Sequence, residues 1–143
     1  MIAGGLAIAW AAVIFVLSSI PADSYPDHPS FLNNVVHFFV YFVLVGLLVA
    51  ALAGGKLKPL PALVIAIIIA SLYGASDEFH QYFVPGRLAD PVDWMVDTLG
   101  AIRGALVATA LLRKKCPEQT APADSVCERP LPLSLFPVLS KLS

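Results

Sequence analysis

The chain has 143 residues, 58% of them hydrophobic and 13% charged, with a net charge of −1 and a mean hydropathy of +0.80. Soluble domains carry about a quarter charged residues, so the composition excludes an ordinary water-soluble globule, and the absence of a basic excess excludes a nucleic-acid surface. Cys116 and Cys127 both lie in the C-terminal tail, which excludes a disulfide framework or a cysteine-based zinc site.

A helix crossing the roughly 30 Å hydrocarbon layer needs about 20 mostly apolar residues. The first such run, Ile2–Leu17, holds no charged or strongly polar side chain and ends in Ser18-Ser19-Ile20-Pro21. It lacks the basic start of a cleaved signal peptide, so an anchoring helix is expected instead. The second, Val35–Ala53, is interrupted by His37, Tyr41 and Gly46. Leu60–Ser76 is the third, an aliphatic block that runs into Asp77-Glu78. Val92–Leu112 is the fourth and least apolar, since it contains Asp93, Asp97 and Arg103. Gly54-Gly55, Pro59 and Pro85-Gly86 mark the turns between spans. The expected fold class is an all-α membrane protein with four transmembrane helices in a compact bundle, covering residues 1–115. The tail, 116–143, is expected to be a disordered cytoplasmic extension, because its prolines forbid a long helix.

Lysine and arginine placement sets orientation. Lys56 and Lys58 lie between spans two and three, and Arg113, Lys114 and Lys115 follow span four. The opposite side carries Arg87 alone, together with Asp23 and Asp27. Five against one places both termini in the cytoplasm of a multi-pass protein of the bacterial cytoplasmic membrane.

The polar side chains then fall at the outer ends of the spans. Span one ends in Ser18 and Ser19. Asn34, His37 and Tyr41 share a face of span two by their spacing of three and four. In span three, Tyr73, Asp77 and either His80 or Gln81 do the same, with Glu78 beside them. Asp90, Asp93 and Asp97 begin a stripe on span four that continues through Gly100, Gly104 and Ala108, small residues that let a neighbouring helix approach. Ionisable groups at membrane depth are costly unless paired or wetted, so their convergence in one pocket is expected and points to function. Taken singly, most have a plainer use: His37 bonded to a carbonyl, Ser18-Ser19 satisfying a helix end, Arg87 pairing with Asp90, Trp94 anchoring at the interface.

The segment Tyr73 to Arg87, with its Asp77-Glu78, His80-Gln81 and Pro85-Gly86-Arg87, resembles the central signature of VanZ-like proteins. Asp90-Pro91-Val92-Asp93-Trp94 through Asp97 and Gly100 continues that likeness. His37-Phe38 and Tyr41 resemble the family's second-helix motif, and Ser18-Ser19-Ile20-Pro21 its first-helix end, so the likeness spans residues 10–112. Asn33-Asn34 stands where many members have an Asp-Lys-type pair, Asp97 where Asn is frequent, and Arg103 where the family is usually apolar. Arg103 is expected to snorkel toward the cytoplasmic face. The resemblance implies a role in the cell envelope related to resistance against the glycopeptide teicoplanin, without supplying a reaction.

Two functions are expected to compete. One is an enzyme acting on a lipid-linked or cell-wall substrate at the outer leaflet. In it His37 and His80 move protons, Asp77, Glu78 and Asp93 tune them or act as bases, and Tyr41, Gln81, Arg87, Asp90 and Asp97 bind substrate. The other is a binding protein for a membrane lipid, a lipid-linked cell-wall precursor, a lipophilic glycopeptide or a protein partner. A metal centre would have to combine His37 and His80 with carboxylates. No HxxxH or HExxH spacing is present, so metal-free chemistry is the expectation. The sequence does not identify a cofactor. A proton-coupled transporter is disfavoured, because the inner halves of the spans hold almost nothing polar besides Arg103.

Overall fold

The computed structural model describes residues 2–24, 30–55 and 57–115, apart from the side chains of Ser30 and of residues 113–115. These residues form four helices: α1 (Ile2–Ser18), α2 (Ser30–Gly54), α3 (Pro59–Gln81) and α4 (Pro91–Lys115), with a 3-10 turn at Ala22–Ser24. The proline-rich tail and Lys56 lie outside the described residues. Three stretches, Phe31–Gly54, Pro59–Gln81 and Pro91–Leu112, are long and apolar enough to cross a membrane. α1 is equally apolar but has only 17 residues, about 25 Å at 1.5 Å per residue.

Helix starts follow local chemistry. Pro59 and Pro91 open α3 and α4, where a missing N–H costs nothing and the fixed φ suits the first turn. Asp90 caps α4: its Oδ1 accepts the Val92 N–H at 2.8 Å. α2 and α3 both extend past their apolar windows, so the polar residues of the expected site ride on continuous helix.

The bundle is packed inside out relative to a soluble protein. Ile8, Ile68, Leu72 and Leu99 are exposed on its flanks, whereas Ala62, Ala66 and Ala70 on α3 and Ala101 and Ala105 on α4 are buried. Lipid replaces water around such a surface, and small residues bring backbones close enough for dispersion to hold them. α2 and α4 are in the broadest contact. There an added Cβ at Gly100 would collide with the Phe38 carbonyl, and one at Gly104 with the Phe42 carbonyl and the Val45 side chain. The small-residue stripe below Asp97 thus serves as the expected close-approach seam. α1 packs mainly on α2 and touches α3 least.

A candidate polar site at one end of the bundle

α2 and α4 meet above the seam through two polar links. His37 Nδ1 lies 3.0 Å from Asp97 Oδ1, and both residues are buried, Asp97 completely. When Asp97 is ionised its carboxylate can only accept, and His37 Nδ1 is then the donor. One turn outward, Asn33 Nδ2 donates to Asp93 Oδ2 at 3.0 Å. Asn33 thus links α2 to α4 through a neutral amide.

α3 presents its polar turn to both neighbours. The Ser18 hydroxyl of α1 lies 2.6 Å from Asp77 Oδ1, and Gln81 donates to Asp77 Oδ2 at 3.1 Å. Of the two residues able to share a face with Asp77, it is Gln81 that does so. His80 turns to the end of α1, with Nε2 3.0 Å from Ser19 Oγ and its ring 4.6 Å from that of Phe15. Ser19 donates its single proton to the Phe15 carbonyl at 2.6 Å, so His80 Nε2 is the donor to Ser19. Glu78 accepts the Asp90 N–H through Oε2 at 2.9 Å. That bond pins the start of α4 to the end of α3.

Arg87 closes the end of α1. Its Nε and Nη2 donate to the carbonyls of Ile20 and Leu17, each at 3.2 Å, and Nη1 reaches Gln81 Oε1 at 3.5 Å. Carbonyls at a helix end lack the full set of intrahelical donors, which lipid cannot replace, and the guanidinium fork donates to two of them here. Gly86 makes the preceding turn at φ +74, packed so that a Cβ there would lie 3.2 Å from the Ala22 side chain. Tyr41 is fully buried one turn below His37, its hydroxyl without a hydrogen-bond partner among the described residues.

These elements line a half-open cavity of about 610 Å³, within the usual range for small-molecule sites. Its lining is mixed: apolar Ile14 and Leu17 of α1 and Leu32, Val36 and Val40 of α2, together with polar His37, Asp77, Gln81, Arg87, Asp93, Ser18 and Asn33. Of the sequence-derived residues, His37, Tyr41, Asp77, Gln81, Arg87 and Asp93 line the cavity. Glu78 and Asp97 do not line it; Asp97 is joined to His37, one of the lining residues. His80 lies at the α1 end and Asp90 at the cap of α4. Arg103 is exposed on the bundle flank, away from the site.

Several contributors had no signal in the one-dimensional pattern. Trp10 donates through Nε1 to the Val40 carbonyl, the Tyr73 hydroxyl to the Ala11 carbonyl and Trp94 Nε1 to the Ser71 carbonyl. Each acceptor is an intrahelical carbonyl, a group every residue possesses, so no residue type betrays it. Ser18 was legible as a helix-end serine, but not as the partner of a particular carboxylate 59 residues on.

No curated protein and no solved structure matches the chain. The family model for VanZ/LLP1 matches residues 4–113, a stretch holding all four helices almost whole and every residue of the polar end. The order of helices, the Pro-Gly-Arg turn that seals α1 and the acidic start of α4 all fall inside that match. The chain is a membrane protein that belongs to the VanZ/LLP1 family.

Proposed function

We propose that this protein is a four-span protein of the bacterial cytoplasmic membrane that takes up a lipid-linked cell-wall molecule, or a lipid-tailed glycopeptide such as teicoplanin, at its outer face. The observation that carries this reading is the mixed lining of the cavity. Ile14, Leu17, Leu32, Val36 and Val40 offer a surface for an acyl or prenyl chain, and Asp77, Asp93, Gln81 and Asn33 line the same cavity. Asp77, Asp93 and the Gln81 and Asn33 amide oxygens give this lining a surplus of acceptor atoms. Such a lining selects hydrogen-bond donors, namely hydroxyl, amide or ammonium groups, which sugar and peptide head groups carry in number. The lysine and arginine asymmetry supports both termini in the cytoplasm and the polar end outside.

The test is binding of a polyprenyl-linked disaccharide-peptide to the purified protein in nanodiscs, read by native mass spectrometry, with teicoplanin in a parallel arm. Saturable binding weakened at least about tenfold by Val36→Trp, which fills the apolar part of the lining, is expected. Equal binding by wild type and Val36→Trp would overturn the reading.

A second reading is supported by one contact. Asp97 holds His37 by Nδ1, which leaves Nε2 as the second ring nitrogen of a residue that lines the cavity. This is the arrangement of a general base oriented by a carboxylate. It predicts slow conversion of the same ligand, abolished in His37→Gln while binding persists.

A further inference from the structure

We propose that His37, Glu78 and Asp97 form a binding site for one divalent first-row transition-metal ion of the Mn2+ or Zn2+ kind. The site goes beyond the uptake of an amphiphile and does not rest on it, since only His37 is shared with the cavity wall.

The three residues come from three different helices, α2, α3 and α4, and all three are buried. One ligand atom from each lies within 4.8 Å of the other two. Around an ion with bonds of about 2.1 Å, neighbouring ligand atoms stand roughly 3 to 3.5 Å apart. The His37 Nδ1 to Asp97 Oδ1 distance is already 3.0 Å, so a cation can take the place of the proton between them. Glu78 then completes the set by a movement of about 1 to 2 Å, within the reach of a side-chain rotation.

Two further atoms point the same way. Glu78 Oε1 and Asp97 Oδ2 are buried with no hydrogen-bond partner among the described residues. Each is the second oxygen of a carboxylate whose first oxygen is committed, Oε2 to the Asp90 N–H and Oδ1 to His37. Asp97 Oδ2 is held against α3 in a space that exists because residue 74 is glycine: a Cβ there would come to 3.1 Å from it. A buried carboxylate oxygen facing nothing is expensive. Two of them beside one imidazole constitute a donor set, not a packing accident.

Charge gives the same answer. Among the described residues the ion pair made by these two carboxylates is the one with His37. A divalent cation neutralises both carboxylates at once. One imidazole with two carboxylates suits Mn2+ and Zn2+, with coordination positions left open, whereas Ca2+ and Mg2+ favour all-oxygen sets. The spacing differs from the HxxxH and HExxH patterns because the ligands are distributed over the bundle and do not sit on one helix.

The experiment uses the full chain purified in detergent, stripped with a chelator, reloaded with Mn2+ or Zn2+ and desalted. Metal per chain is then read by inductively coupled plasma mass spectrometry. About one ion per chain is expected in the wild type. Glu78→Gln keeps an acceptor for the Asp90 N–H but loses the charge, and it should weaken binding at least about 100-fold. Asp97→Asn should do the same. Asp77→Asn and His80→Gln remove polar groups of the same bundle end from outside the set, and they should bind as the wild type does. Nitrogen hyperfine coupling from one imidazole is expected in the Mn2+-loaded wild type by pulsed electron paramagnetic resonance, so the outcome does not depend on any variant accumulating. No ion above the detergent blank in the wild type, no nitrogen coupling, or equal losses in Asp77→Asn and Glu78→Gln would overturn the site.

Discussion

The α2–α4 pair and the attachment of α1 solve the same problem in opposite ways. α2 and α4 meet backbone to backbone over Gly100 and Gly104, and their contact is chiefly dispersion, with polar links added only at one end. α1 stands off from α3, leaving the cavity, and is tied down by directed bonds: Trp10 to Val40, Tyr73 to Ala11, Ser18 to Asp77 and Arg87 to two carbonyls. Where lipid removes the hydrophobic drive between helices, close packing and hydrogen bonding are the remaining sources of affinity. Packing fills space and makes a rigid wall. Bonding spans space and permits a pocket. The molecule places its cavity on the bonded side.

Substitutions can break that contrast in graded steps. The largest effect is expected for the double change Gly100→Val with Gly104→Val. Each added side chain meets a backbone carbonyl that cannot rotate away, and the summed overpacking cost is roughly 4 kcal/mol or more. The protein should fail to accumulate in membranes, as an immunoblot of the membrane fraction would show. Ser18→Ala comes next. It removes one charge-assisted interhelical bond, near the upper end of the range for membrane proteins, about 1.5 kcal/mol. Unfolding in mixed micelles should register it, with the cavity still able to bind ligand. Tyr73→Phe should cost less, about 0.5 to 1 kcal/mol, because the Ala11 carbonyl retains its helical bond. Arg103→Gln should change stability by less than about 0.5 kcal/mol, since Arg103 is exposed away from both regions. If Tyr73→Phe proves as damaging as the glycine pair, the division into a packed side and a bonded side fails.

Orientation sharpens the contrast further. In a background lacking Cys116 and Cys127, a cysteine at Leu88 should react with an impermeant thiol reagent in intact cells, and one at Leu57 should not. The reverse pattern would put the polar end, with its cavity, on the cytoplasmic side.

The four helices, and the three long enough to span, were legible because apolar runs of the right length have few alternative meanings. The α4 seam was legible because Gly100, Gly104 and Ala108 recur at helical spacing. The polar end was legible as a set of residues at one depth, since each span carries its polar turn on the same side. Partner choice was not. Whether His80 or Gln81 accompanies Asp77 depends on how α3 is rotated against α1, and successive residues differ by about 100° around the helix. The link from Asn33 to Asp93 was hidden because a neutral amide at a helix start has many alternative partners, among them backbone carbonyls and water. Glu78, Asp97 and His37 form a group only once three helix rotations are known together.

The sealing of α1 by Arg87 carries a consequence for biogenesis. The guanidinium that donates to the Leu17 and Ile20 carbonyls comes 67 to 70 residues after them in the chain. Until it is made those carbonyls lack a charged donor, which favours keeping the terminus hydrated, within the translocon or at the membrane surface. Arg87 arrives only with the turn at Gly86, whose Pro85 carbonyl also accepts the Ala22 N–H. The end of α1 is therefore completed only after α2 and α3 have been made.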